Sequence, residues 1–277
     1  MSCGVFVGNP SDEEGEEQEA FVSGTLIYGP VNGAKITLYN VDEEGNRGSK
    51  LGETTTDQSG EFELTVKYSG AVEAVATSGN YKDEATGENV VRSGTIEITA
   101  LVPSLEESHL PIHALTHIAA LNAKAVQSGE IGQDIMFSNK KIANLFGISG
   151  VPFAVIKPLD LTSEESVDTS GNDAAIGLLI AAFSQALEDN SINANELEVL
   201  IESVAKDFSD DAFDLKINGE DLTDITSLSP YDFMTSLETS LINFINSNEN
   251  KSSMTESPIS KLPDVPQTAS GSALRLK

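Results

Sequence analysis

Tryptophan is absent from this chain, and cysteine occurs once in its 277 residues. A single cysteine excludes an internal disulfide. Without Trp there is no broad aromatic platform for a sugar ring, so pairs of carboxylates lack the usual companion of a glycosidase site. Basic residues are scarce as well: 16 Lys and Arg stand against 44 Asp and Glu, a formal charge of −28. That deficit argues against nucleic acid as a partner, because phosphate binding draws its main free energy from cationic side chains. It also disfavours adsorption to an anionic leaflet through surface charge, and it gives a strongly hydrated surface. No apolar run approaches the roughly 20 residues that span a bilayer. The best, AAIGLLIAAF at 174–183, reads as a buried helix. Three catalytic signatures are also missing: the Gly-x-Ser-x-Gly elbow, the phosphate-binding loop and His-Glu-x-x-His.

What is present falls into segments. Cys3 stands in MSCGVFVG, ahead of SDEEGEEQE at 11–19 with six acids and no base. Such a stretch repels itself and has little to bury, so residues 1–20 are expected to be a flexible acidic tether. A cysteine at the tip of a tether is where a bacterial lipoprotein carries its diacylglyceryl anchor, which makes Cys3 the expected lipidation site and the chain's only means of holding a membrane.

From residue 21 the apolar period is two. FVSGTLIY at 21–28 is followed by the turn GPVNG, then AKITLY at 34–39 with Ala34, Ile36 and Leu38 on one face. DEEGN at 42–46 predicts a hairpin loop, and DQSG at 57–60 a turn in which Asp bonds its own backbone. Phe62, Leu64 and Val66 alternate, as do Val72, Ala74 and Ala76; residues 90–91 and 95–101 complete the series. About seven short strands at this spacing predict an antiparallel β-sandwich over 21–103.

The order GPVNGAKITLYN at 29–40 then TTTDQSGEFELTV at 54–66 resembles the carboxypeptidase regulatory-like and Cna-B-like domains of bacterial secreted proteins and lipoproteins. The resemblance implies a transthyretin-type sandwich. Many Cna-B domains carry a Lys isopeptide, but the alternation turns Lys35 away from the face of Ala34 and Ile36. SGNYKDEATGENV at 78–90 matches a segment of the same proteins, through Gly79, Tyr81, Asp83, Glu84, Thr86 and Gly87. Tyr81, Asp83 and Glu84 are therefore candidate binding residues. Asp83, Glu84 and Glu88 could offer oxygens to calcium; alternatively Tyr81 packs on the sandwich edge while Asp83 and Thr86 tie down a turn.

After Pro103 the period becomes three and four. Pro111 is expected to open a helix with Ile112, Leu115, Ile118, Ala119 and Ala123 as its stripe. Ser138 is expected to cap a short helix ending at Gly147. A long connection fills 151–172, a very apolar helix runs from Asp173 to about Glu188, and Asn193 and Ser229 cap two more. LTHIAAL at 115–121, NKKIANLFGI at 139–148 and LLIAAFSQALED at 178–189 resemble the helical part of those secreted proteins. The expectation is an α+β multidomain chain, with an all-α bundle over 104–248 and a disordered tail over 249–277.

The three histidines, His109, His113 and His117, lie four apart. On one helix His113 and His117 would share a side at a separation zinc can bridge, with Glu106 or Glu107 completing a set. Asp207, Asp210, Asp211, Asp214, Glu220, Asp221 and Asp224 form the densest carboxylate region, where a structural calcium ion could offset repulsion. Ser138 with Lys141 and Ser203 with Lys206 have the Ser-x-x-Lys spacing, without the accompanying elements of its enzymes. With the resemblance and the position of Cys3, the expectation is a non-enzymatic bacterial cell-envelope lipoprotein that acts in adhesion or assembly, with other envelope or extracellular proteins as partners and no obligatory cofactor. A carbohydrate-binding or metal-dependent envelope enzyme is the alternative. Glycan binding would require grouped, exposed tyrosines; assembly would require an apolar patch, expected on the helices.

Overall fold

The computed structural model describes residues 19–105, 109–163, 168–217, 220–222, 226–259 and 262. Cys3, most of the tether, Glu106, Glu107, Gly219, Asp224 and the chain after 262 lie outside the described residues. The strands are β1 (Glu19–Leu26), β2 (Lys35–Val41), β3 (Arg47–Thr55), β4 (Glu61–Lys67), β5 (Val72–Thr77), β6 (Asn80–Lys82), β7 (Asn89–Val91), β8 (Ile98–Val102) and β9 (His109–Ile112). The helices are α1 (Ala114–Val126), α2 (Ile131–Leu145), α3 (Asn172–Asp189), α4 (Leu197–Asp207) and α5 (Pro230–Ile245). A two-residue ribbon, β10 (Lys216–Ile217) with β11 (Glu220–Asp221), lies between α4 and α5. An N-terminal β region followed by a helical bundle is thus the architecture.

Two sheets stack, ordered β4-β1-β9 and β3-β2-β5-β8. Alternation places Val22 and Leu26 of β1, Ile36 and Leu38 of β2, Phe62 and Val66 of β4, Val72, Ala74 and Ala76 of β5, and Ile98 and Ala100 of β8 in one buried core. Lys35 points outward, 3.0 Å from Glu53. The four-stranded sheet has a second covered face. Leu101 of β8 and Val41 of β2 pack against Ala120 and Ala123 of α1 and Ile131 and Ile135 of α2. The layers are therefore sheet, sheet and helices, which is why β8 is buried along its whole length.

Three local expectations are corrected. Pro111 and Ile112 belong to β9, which pairs in parallel with β1. Proline is tolerated at the edge of a sheet because no ladder hydrogen bond is lost there. The helix begins one residue after His113, whose Nδ1 accepts from the Thr116 N–H at 3.4 Å while its own N–H donates to Thr116 Oγ1 at 2.9 Å. Ser138 does not cap a helix. It lies inside the 15-residue α2 and donates to Asn122 Oδ1 at 2.8 Å.

The helices bury most of α3 on every side, with Phe183 ring to ring against Phe233 of α5 at 4.4 Å. Ser229 caps α5 by accepting from the Asp232 N–H at 3.1 Å, as the Ser-Pro pair predicts. Beyond α5 the polar composition suggests an unstructured tail from 249, yet Met254 and Ile259 are buried and the Lys251 N–H donates to Leu161 at 2.9 Å.

Candidate functional site

On the outer face of the four-stranded sheet, the in-out alternation of β5 and β8 turns Glu73 and Thr99 away from the sandwich core and towards the helices. Here α1 contributes His117, Leu121 and Lys124, and α4 contributes Val199, Glu202 and Lys206. With Arg47, Thr95, Ile96 and Glu97 they enclose a cleft of about 500 Å³. Glu73 is 1% exposed and holds two cations: Arg47 donates Nε to Oε2 at 2.7 Å and Nη2 to Oε1 at 3.1 Å, and Lys124 Nζ lies 2.6 Å from Oε1. These partners hold the carboxyl below the usual glutamate range despite the opposing effect of burial. At the other end the Thr99 N–H donates to His117 Nδ1 at 3.1 Å, so the ring proton sits on Nε2 and is given to Glu202 Oε2 at 2.7 Å. Glu202 also meets Lys206 at 3.0 Å. Burial raises the Glu202 pKa, but His117 and Lys206 outweigh it and bring it to about 2.

The histidine row is divided three ways. His109 is on β9 beside Thr25 Oγ1 at 2.5 Å. His113 is buried next to Phe153, and desolvation pushes its pKa down to about 3. Only His117 reaches the cleft. Among the described residues no group of three or more His, Cys, Asp or Glu is placed to hold a metal ion. Most of the described part of the acidic segment is engaged within the fold, while Glu220 and Asp221 are exposed on β11. Asp211 pairs with Lys141 at 2.6 Å and accepts from Asn122 at 3.0 Å, and Asp214 accepts the Lys216 N–H at 3.1 Å. Asp207 Oδ1 accepts the N–H groups of Asp214 and Leu215, and burial raises its carboxyl pKa to about 7. Asp210 lies in the short 3₁₀ turn after α4. Neither Ser-x-x-Lys pair is in contact as a pair: Ser203 donates to the Val199 carbonyl, Ser138 to Asn122, Lys206 meets Glu202 and Lys141 meets Asp211.

Tyr81, Asp83 and Glu84 are buried rather than displayed. The Tyr81 ring meets Tyr28 edge to face at 5.1 Å, and Asp83 Oδ1 accepts the Thr86 N–H and hydroxyl at 2.9 and 2.8 Å. Glu84 has its pKa raised well above the ordinary value, chiefly by burial and then by Asp160 and Asp83. Behind them Arg92 pairs with Glu198 of α4, and Tyr28 donates to the same carboxylate at 3.0 Å. This wholly buried knot ties the sheets to the helices.

A second, apolar opening lies between α2, the end of β8 and the loop at 150–155. About 390 Å³ in volume, it is lined by Val102, Pro103, Ile135, Met136, Val151 and Phe153 among others. Met136 and Phe137 are 67% and 61% exposed, and Val155 is also exposed. Of the five tyrosines, Tyr28 and Tyr81 are buried and Tyr39, Tyr68 and Tyr231 are partly buried.

Sequence reasoning found His117 but missed Arg47, Glu73, Glu97, Lys124 and Glu202. The available signal was the lone acid in AVEAVAT at 71–77, an acid inside a strand that is otherwise apolar on both faces.

No family model matches the chain, and no curated protein does. Among solved structures a 9R-lipoxygenase from Cyanothece PCC8801 aligns with a TM-score of 0.22 at 12% identity, over 58% of this chain and 30% of that one. A likeness that low carries no argument about fold or function.

Proposed function

We propose that the chain is a non-enzymatic interaction component of the bacterial cell envelope, in adhesion or assembly, that grips a partner protein through the apolar groove beside α2. The observation that carries this reading is the exposure of Met136 on the lining of a mostly apolar groove, with Phe137 exposed beside it on α2. Solvent-facing aromatic and methionine side chains around a concavity are the usual anchors of a protein interface. The chain's charge of −28 selects an apolar partner segment flanked by lysine and arginine, and it sets a repulsive cost on pairing with a second copy. Placement in the envelope rests on Cys3 ahead of its acidic segment and on the sequence likeness to secreted proteins. The finer transthyretin-type assignment of the sandwich rests on that likeness alone.

The test is a photo-cross-linker at Met136 in cells, followed by reconstitution with the purified cross-linked protein. Met136→Glu is expected to weaken that complex at least about tenfold, the scale of one interface anchor. Phe21→Glu, on the sandwich, is expected to leave it unchanged. Cross-linking to a second copy, or equal affinity of both variants and wild type, overturns the docking reading. Intact-mass analysis of protein taken from its host membranes decides the anchor separately: an unmodified Cys3 removes it.

A further inference from the structure

We infer that the cleft between the four-stranded sheet and helices α1 and α4 is a binding site for a small zwitterionic carboxylate of the amino-acid type, with Arg47 taking the carboxylate and Glu97 the ammonium. The site is separate from the apolar groove and does not depend on its role.

Arg47 is held from three directions. Its guanidinium carbon lies 4.9 Å from the Tyr39 ring centroid, and its Nε and Nη2 grip both oxygens of the buried Glu73. Glu73 is fixed in turn by Lys124. What remains is the end edge of the guanidinium. There Nη2 meets Glu97 at 2.8 Å, while Nη1 has no hydrogen-bond partner among the described residues. Glu97 is 47% exposed, and an ion pair in that setting contributes little. A carboxylate offering two oxygens to Nη1 and Nη2 replaces one hydrogen bond with the bidentate geometry that arginine favours. The displaced Glu97 side chain is then free, at the mouth of the cleft, to pair with an ammonium one carbon away from the bound carboxylate.

Charge selects the ligand class. Arg47, Lys124 and Lys206 are balanced within the lining by Glu73, Glu97 and Glu202. A neutral ligand with separated charges suits such a lining. Dianions are opposed by the remaining carboxylates and by the field of a protein carrying −28. The volume of about 500 Å³ falls within the range of small-molecule sites. Its other end, formed by Leu121, Val199 and the His117–Glu202 pair, can receive a short side chain ending in a hydrogen-bond donor.

Calorimetric titration of the full chain with L-alanine, L-glutamine, propionate, succinate and glucose tests the assignment. Wild type is expected to bind the two amino acids saturably, and to bind propionate, succinate and glucose more weakly. Arg47→Lys keeps the charge but loses the two-pronged edge, and about tenfold weaker amino-acid binding is expected. Glu97→Gln, at an exposed position that does not endanger folding, is expected to reduce the preference for alanine over propionate about tenfold. Any of three results overturns the proposal: no saturable binding of an amino acid, binding of succinate or glucose as tight as that of the amino acids, or an alanine-to-propionate ratio that Glu97→Gln leaves unchanged.

Discussion

Arg92 and Glu198 form a buried ion pair between the sheets and α4. Both are buried, and Arg92 also donates Nη1 to the Ser78 carbonyl at 2.8 Å and Nη2 to the Ala76 carbonyl at 3.2 Å. Glu198→Gln leaves the guanidinium without its counter-charge. A loss of about 3–5 kcal/mol is expected in urea unfolding, the cost of breaking a buried pair from one side. His113 sets a pH limit. Its folded pKa of about 3 lies below the ordinary 6.5, so the unfolded chain takes up a proton first as pH falls. The stability it contributes is complete above pH 6.5 and declines as pH drops towards 3. Glu202, depressed from 4.5 to about 2, adds a decline over that lower window. His113→Asn keeps a helix-capping acceptor without a titrating group, and its acid-unfolding midpoint is expected to move to lower pH. Neither the buried pair nor the shifted histidine was legible in the sequence, because burial of a polar group depends on what other segments place over it.

At the scale of elements, the apolar period located α1, α3, α4 and α5 but gave only the second half of α2, and the Ser229 and Asn193 caps mark real starts. Ambiguity arose where one residue serves two structures. The Pro111 to His113 run satisfies helix-start rules, but parallel pairing with β1 gave Pro111 and Ile112 to the sheet and left His113 as the cap. Gly177 shows the same override inside a helix. Alanine is a better helix former than glycine by about 1 kcal/mol, but a Cβ at 177 would lie 2.2 Å from the Leu159 carbonyl oxygen. Because that obstacle is backbone, the expected sign is reversed: Gly177→Ala lowers the urea midpoint, by an overpacking cost of about 1–3 kcal/mol offset only in part by propensity.

For the whole molecule, one apolar cluster runs without a break from Val22 of β1 through β9 and α3 to Ile259. A shared core predicts a single cooperative transition, with far-ultraviolet circular dichroism and tyrosine fluorescence tracing the same denaturation curve. Two separate midpoints would show that the sheets and helices unfold independently. A fragment ending at 103 removes β9 from the edge of β1 and uncovers the outer face of β8, and it is expected to aggregate rather than fold. The sequence alone determined the order of strands before helices, the faces of β2, β4 and β5 that point into the sandwich, and a strongly negative net charge. Those properties follow from local period and from summed charge. Only the tertiary structure decided that the other face of β5 and β8 is covered, that His117 meets Glu202 across 85 residues, and that Arg47 and Lys124 converge on Glu73. A strand's period tells which residues share a face; what lies against that face is set by chain segments distant in sequence, whose packing leaves no local pattern.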